Sequence, residues 1–351
     1  MIAAIDFGSC WIRSATRAPE DDSRMRMISE RSEYAMLPAT DLHRETLRAQ
    51  QIPFAECEDT LVVIGNHAAA THWLSRVPCT PLFVDGRVPT NDRPARQMIG
   101  VLIESMLPLV SDEEAPGLCV MTVPGCRDGV DTAATNELFL SRLVQMRGYE
   151  TLVVRPSHAA VLATCGDAQF TGMTIVVGAE TTDLCVSRLG MPIASAEIPV
   201  GCNWVDLELA RQYQIQKFDE HGTGYLDLDA VRQWKQYSDI HLRTPVSERE
   251  RTLVRLFSVV MDRICRSVAG LMKNSQVQSA FASNRIPVIL SGGAARTKGF
   301  ASLLTERFID HGIAEQIQAI RGADDPDTAV LRGCLVCAEL ESETLLRNNA
   351  A

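Results

Sequence analysis

The sequence predicts an α/β protein of two domains built on one plan. Apolar runs alternate with turn residues from start to finish, the pattern of strands feeding helices. A strand–turn–strand device at Ala3–Thr16 recurs at Met173–Arg188, and repetition of this kind marks a duplicated architecture. The 351 residues correspond to about two domains at roughly 150 residues each.

The elements follow in order. Ile2–Ile5 reads as a short strand entering a Gly-Ser turn, with Ile12–Thr16 returning as its hairpin partner. Residues 19–60 are polar and weakly patterned, which reads as a variable insertion. Leu61–Ile64 is a strand ended by Gly65, and Ala68–Leu74 a short helix. Asp92 caps a helix whose apolar face carries Met98, Ile99, Leu102 and Met106. Leu118–Val123 is a strand stopped by Pro124-Gly125. From Asp131 to Arg147 the helical spacing falls on Leu138, Leu143 and Met146, with Gly148 as the stop. Leu152–Val154 is a buried strand, and Ser157 caps a helix that ends at Gly166. Met173–Val177 then runs through Gly178-Ala179-Glu180-Thr181-Thr182 and returns as Leu184–Arg188. A helix at Trp204–Tyr213, a polar patch and a long helix at Glu248–Lys273 come next. Pro287–Leu290 is a central strand delivering Ser291-Gly292-Gly293-Ala294, and a helix from about 327 to 345 closes the chain.

Composition narrows the function. At 46% hydrophobic and 22% charged residues the chain is neither disordered, collagen-like nor coiled-coil. A net charge of −10 argues against an electrostatic grip on nucleic acid. The longest candidate membrane stretch, 256–271, is broken by Asp262, Arg263 and Arg266, short of the roughly 20 apolar residues of a spanning helix. Met1 leads into an apolar strand without a basic region, so no secretion signal and a cytoplasmic location are expected. The 11 cysteines are odd in number and scattered, which favours reduced buried thiols over a disulfide framework or a zinc site.

Three small-residue turns follow strands: Asp6-Phe7-Gly8-Ser9, Gly178 to Thr182, and Ser291-Gly292-Gly293-Ala294. Small residues let backbone N–H groups converge on phosphate oxygens without side-chain interference. The hydroxyls of Ser9, Thr181 and Thr182 add donors, and Asp6 at a strand end is a candidate ligand for magnesium, which prefers carboxylate oxygen and water.

In this order the turns resemble the actin / Hsp-type chaperone / sugar-kinase ATPase superfamily, and within it the bacterial actin MreB family. Ile5-Asp6-Phe7-Gly8-Ser9 looks like its first phosphate loop and Gly178 to Asp183 like the second. Ser157 to Gly166 resembles the first connecting helix, and Asp325-Pro326 with Ala329 and Arg332-Gly333 the second. Val288 to Ala294, followed by Lys298-Gly299, is similar to the adenosine motif. MreB-like wording also stands at Val63 to Ala68, Pro81 to Val88, Val123-Pro124-Gly125 and Pro199-Val200-Gly201-Cys202. The resemblance spans nearly the whole chain and thins over 19–60 and 215–250. It implies an actin-like duplicated fold with ribonuclease H-like halves. Domain I would comprise 1–157 plus 324–351, and domain II 158–323 with an outer subdomain at about 215–250. ATP or ADP with Mg2+ would lie between them, and the protein would polymerise into paired filaments. The implied nucleotide contacts are Gly8, Ser9, Cys10, Gly178, Ala179, Glu180, Thr181, Thr182, Gly201, Ser291, Gly292, Gly293 and Ala294, with Asp6 on the metal.

The pattern also breaks. The aspartate that opens the family's second phosphate loop is Val176 here, and the glycines after Gly178 are Ala179 and Glu180. Across the start of the first connecting helix, Arg155-Pro156-Ser157-His158 offers no water-orienting acid, leaving His158 as a candidate general base. The membrane-anchoring helix of MreB proteins has no counterpart, and Ser111-Asp112-Glu113-Glu114 is an acidic turn that anionic lipid repels. Direct membrane binding is not expected, and the outer subdomain looks trimmed. Three readings remain open: a nucleotide-binding cytoskeletal scaffold with weak or absent hydrolysis, an active polymerising ATPase of cell-shape maintenance, and a non-polymerising adaptor in a membrane, pilus or division assembly. Other cytoskeletal or envelope-assembly proteins are the expected partners.

Overall fold

The computed structural model describes residues 1–17, 25–71, 79–111, 115–125, 132–219, 221–282 and 284–349. The first half contains β1 (Ile2–Phe7), β2 (Trp11–Arg17), β3 (Met25–Arg31), β4 (Glu33–Pro38), α1 (Asp41–Ala49), β5 (Ala55–Cys57), β6 (Thr60–Ile64), α2 (Asn66–Ala70), β7 (Thr80–Pro81), α3 (Arg93–Met106), β8 (Gly117–Thr122), α4 (Thr132–Gln145), β9 (Tyr149–Val153) and α5 (Pro156–Thr164). The second contains β10 (Gly172–Val177), β11 (Thr182–Arg188), β12 (Met191–Ile198), α6 (Cys202–Gln212), β13 (Gln216–Phe218), β14 (Gly224–Leu226), α7 (Leu228–Tyr237), α8 (Glu248–Met272), α9 (Ser275–Phe281), β15 (Ile286–Ser291), α10 (Phe300–Asp310), β16 (Ile317–Gly322) and α11 (Ala329–Asn349).

Duplication is written into the strand pairing. One sheet has the order β3-β2-β1-β8-β9 and the other β12-β11-β10-β15-β16. In each, two antiparallel pairings are followed by two parallel ones. Alternation along β1 explains the layers, because successive side chains face opposite ways. Ala3, Ile5 and Phe7 pack with Ile99, Leu102 and Met106 of α3 and with Leu140 and Val144 of α4. Ala4 faces the other way, into a core shared by Ala159 and Ala160 of α5, Val176 of the second sheet, and Leu331 and Cys334 of α11. The two connecting helices therefore lie between the sheets, and they touch where Gly333 meets the Ala159 carbonyl. On the outer face of the second sheet, Phe257 of α8 and Phe300 of α10 meet edge to face at 5.4 Å.

Several expectations need correcting. Residues 25–31, read as part of an insertion, are β3, an edge strand of the main sheet. The outward position leaves its residues half-buried or exposed, so it lacks the apolar alternation that announces a strand. On α4 the buried apolar residues are Leu140 and Val144, while Leu138, and Met146 just beyond the helix, face solvent. Ser157 does not cap α5: Arg155 holds the N-cap position. The Ala68–Leu74 expectation is matched by α2 as far as Ala70, and its remainder falls partly outside the described residues, as does the Asp112-Glu113-Glu114 turn. Among the described residues, no helix is long and apolar enough to cross a membrane. The ten described cysteines are free thiols, and burial pushes those of Cys119 and Cys185 well up, leaving them uncharged.

Candidate functional site

A cleft of about 880 Å³ opens between the two sheets, lined by the β1–β2 and β10–β11 turns, the turn after β15, and residues of α6 and α7. Both hairpins close with the same bond: Gly8 N donates to Trp11 O at 3.0 Å, and Gly178 N to Thr181 O at 2.9 Å. Glycine is required at each because a Cβ would lie 2.7 Å from Trp11 O or 2.9 Å from Thr181 O. At Gly292 φ is +84°, and a Cβ would meet Val177 O at 2.3 Å, so no other residue fits between β10 and β15.

Of the residues the sequence nominated, Asp6, Gly8, Ser9, Cys10, Gly178, Ala179, Glu180, Thr181, Gly292, Gly293 and Ala294 line the cleft. Thr182, Gly201, Ser291 and His158 stand behind it. The Thr182 hydroxyl donates to Val200 O at 2.8 Å and the Ser291 hydroxyl to Pro326 O at 3.0 Å. Gly201 lets α6 approach the second loop, where Cys202 N and Asn203 N donate to Gly178 O and Ala179 O. His158 Nε2 lies 2.8 Å from Gly190 O, so its imidazole is engaged by the β11–β12 turn and the general-base reading is withdrawn.

The place expected to hold an acid on the first connecting helix is occupied by an ion pair. Arg155 contacts Asp183 of β11 and lies 3.7 Å from Glu197. Asp183 Oδ2 also accepts from Ser157 N at 3.0 Å and Ser157 Oγ at 2.6 Å. Both oxygens of this cleft carboxylate are thus committed to anchoring α5. The hairpin registers place Asp6 opposite Arg13 and Val176 opposite Asp183. At equivalent positions, one half carries an acid facing a base and the other a valine facing an acid.

Asp6 accepts from Thr122 Oγ1 at 2.7 Å through one oxygen, and its other oxygen faces Arg13 at 3.9 Å. Burial raises its pKa, and Arg13 and Thr122 oppose the rise. A magnesium ion needs near-octahedral oxygen at about 2.0–2.1 Å. On Asp6 it would lie on the order of 5 Å from the guanidinium, where a univalent and a divalent cation repel by about 7 kcal/mol at an effective dielectric near 20. Val176 offers no side-chain oxygen, and Asp183 is committed. This donor set does not fit a resident divalent cation, and the assignment of Asp6 as a metal ligand is withdrawn.

Glu180 remains in the cleft wall and accepts from the Asn203 side chain. Burial raises its pKa, opposed first by that hydrogen bond. Arg232 donates to Asn203 Oδ1 at 3.1 Å and pairs with Asp229 at 3.0 Å. Asp229 in turn pairs at 3.1 Å with Arg31 of β3, a link across the mouth of the cleft. Lys235 pairs with Asp206, 2% exposed on α6. Sequence reasoning missed Arg13, Arg31, Asn203, Asp206 and Arg232. Only Arg13 had a local signal, since a hairpin closed between Gly8 and Trp11 sets it opposite Asp6.

A sequence model of the family described as Volactin matches residues 1–338. The chain belongs to the Volactin family. No curated protein matches it by sequence. Among solved structures it is similar to a MamK double helical filament, at a TM-score of 0.69 and 17% identity, covering 96% of this chain and 98% of that one. It is equally similar to MreB 5 of Spiroplasma citri bound to AMPPNP, with a TM-score of 0.69, 15% identity and coverage of 99% and 98%. The same protein bound to ADP follows at 0.67, 14% identity and the same coverage. At these identities the likeness establishes the fold, which for this Volactin family member is the actin-like two-domain fold.

Proposed function

We propose that this chain is a cytoplasmic actin-like scaffold that binds adenine nucleotide in the cleft, self-associates into filaments, and hydrolyses ATP slowly or not at all. One observation carries the reading. Glycine turns from both halves converge on a single cleft, while the positions that would hold a free carboxylate for water carry Val176 and the ion-paired Arg155 and Asp183. Phosphoryl transfer to water depends on positioning and on neutralising charge. Among the described residues neither of these two positions offers a free acid to orient the water, and Glu180 adds negative charge. Domain I at 1–157 plus 324–351 and domain II at 158–323 are the proposed rigid bodies, with α5 and α11 as the hinge between them. Self-association draws support from the MamK double helical filament, and adenine nucleotide from the AMPPNP and ADP named with MreB 5.

Thermal unfolding with saturating ATP tests the site. A ligand at 100 times its Kd stabilises a fold by about 2.7 kcal/mol; no shift with ATP or ADP overturns the reading. Sedimentation with phosphate release on the same sample separates the alternatives. Filaments with little phosphate support the proposal, rapid phosphate release identifies an active ATPase, and nucleotide binding without filaments identifies an adaptor.

A further inference from the structure

Arg13 faces Asp6 at the first small-residue turn, where the sequence led us to expect a divalent ion. It is 16% exposed and lines the cleft. Its side chain lies against the Trp11 ring, 5.6 Å from the centroid, so its direction is set from one side by an aromatic face. Its nearest acid among the described residues is Asp6, at 3.9 Å, beyond hydrogen-bond reach. A guanidinium carries five N–H donors in a planar fork that matches phosphate oxygen. Arg31 differs although it lies over the same ring at 5.3 Å, because Glu33 at 3.0 Å and Asp229 at 3.1 Å take its donors. Arg13 thus presents unspent donors at the first phosphate loop, beside a carboxylate that is already half engaged by Thr122.

Resting on the nucleotide reading above, we propose that Arg13 replaces the divalent cation at the first phosphate loop, so that the cleft binds nucleoside di- and triphosphates without Mg2+. The Arg13 fork binds the phosphate oxygens directly. Asp6 serves to orient Arg13, and the Trp11 ring holds the guanidinium against the cleft wall. The substrate class is the metal-free nucleotide anion.

The experiment titrates ATP and ADP into the full chain by calorimetry, once in excess Mg2+ and once in excess EDTA. The wild-type affinity is expected to differ by no more than about threefold between the two, whereas loss of one charge-assisted contact costs about tenfold or more. Arg13→Leu should lose that factor in EDTA and regain most of it in Mg2+, since Asp6 is then released to face a metal. Arg13→Lys should retain part of the metal-free affinity, which separates loss of the cation from loss of the fold. Wild-type binding that falls more than tenfold in EDTA overturns the role of Arg13 and leaves the nucleotide site standing. Arg13→Leu that binds in EDTA as tightly as wild type also overturns it. Absence of binding in both buffers overturns the nucleotide reading itself, and this inference with it.

Discussion

Replacing Gly333 by alanine puts a methyl group into the carbonyl of Ala159, at the contact between the two connecting helices. The added Cβ would lie 1.7 Å from Ala159 O, 2.3 Å from its carbonyl carbon and 2.9 Å from its Cα. Carbon contacts are most favourable near about 3.5–4.0 Å, so α5 and α11 must part by roughly 1.5–2 Å. The contact lies in the core: Ala4, Val120, Leu331 and Cys334 of the same cluster are fully buried, so the shift must be taken up by packed neighbours. Overpacking of this kind costs about 1–3 kcal/mol and occasionally more. Alanine returns about 1 kcal/mol through its helix propensity, and since the clash is with backbone rather than a movable side-chain end, the net loss is expected at about 2 kcal/mol. Gly270 supplies the control. It is exposed on α8 with nothing within 4 Å of its added Cβ, so Gly270→Ala shows the propensity gain alone, about 0.5–1 kcal/mol. Urea denaturation reads both, with the midpoint moving down for Gly333→Ala and up for Gly270→Ala at unchanged slope. Midpoints that move in the same direction refute the close helix contact.

Three further outcomes follow from the cleft. Glu180→Gln keeps the acceptor for Asn203 and removes a carboxyl whose pKa is raised by burial. That group contributes stability below its ordinary value of 4.5 and loses it as pH rises through the raised folded value; the variant is therefore expected to melt higher than wild type at neutral pH and equally in acid, with nucleotide affinity up about tenfold at neutral pH. A melting difference that grows on acidification would contradict this. Arg155→Glu alone should not raise phosphate release, because it sets a third carboxylate beside Asp183 and Glu197 and costs about 3–5 kcal/mol, the scale for breaking one partner of a buried pair. A gain of turnover in that single variant would show that freeing the Arg155–Asp183 site is enough by itself and that Val176 does not limit hydrolysis. Asp229→Asn removes the partner of Arg31 across the cleft mouth. Exposed pairs contribute up to about 1 kcal/mol, so a fluorescent ADP analogue should leave a few times faster in stopped flow, and an unchanged rate would mean that the pair does not close the cleft.

The parts of the site legible in the sequence are those made by short-range geometry. Gly8, Gly178 and Gly292 announced themselves because a tight turn after an apolar strand admits little else, and all three line the cleft. The duplicated hairpin was legible for the same reason. Edge strands were not. Residues 25–31 of β3 have neighbours on one side only, and because none of them is fully buried the strand has no apolar face to set up the alternation that a half-buried strand shows. The face of α4 was misjudged because Leu138 and Met146 follow helical spacing as well as Leu140 and Val144 do, and only the packing partner decides which stripe is buried.

What the sequence determined by itself was the α/β plan, its duplication and the three small-residue turns, because these rest on contacts within a few residues. The tertiary structure alone decided what the charged groups do. Asp183 and Ser157 meet across 26 positions, and Arg31 and Asp229 across 198. His158 reaches Gly190 instead of the cleft, and Gly333 meets Ala159 only because α5 and α11 cross between the sheets. A carboxylate or guanidinium takes its role from the partner that desolvates and neutralises it, and that partner is chosen by the packing of the two halves.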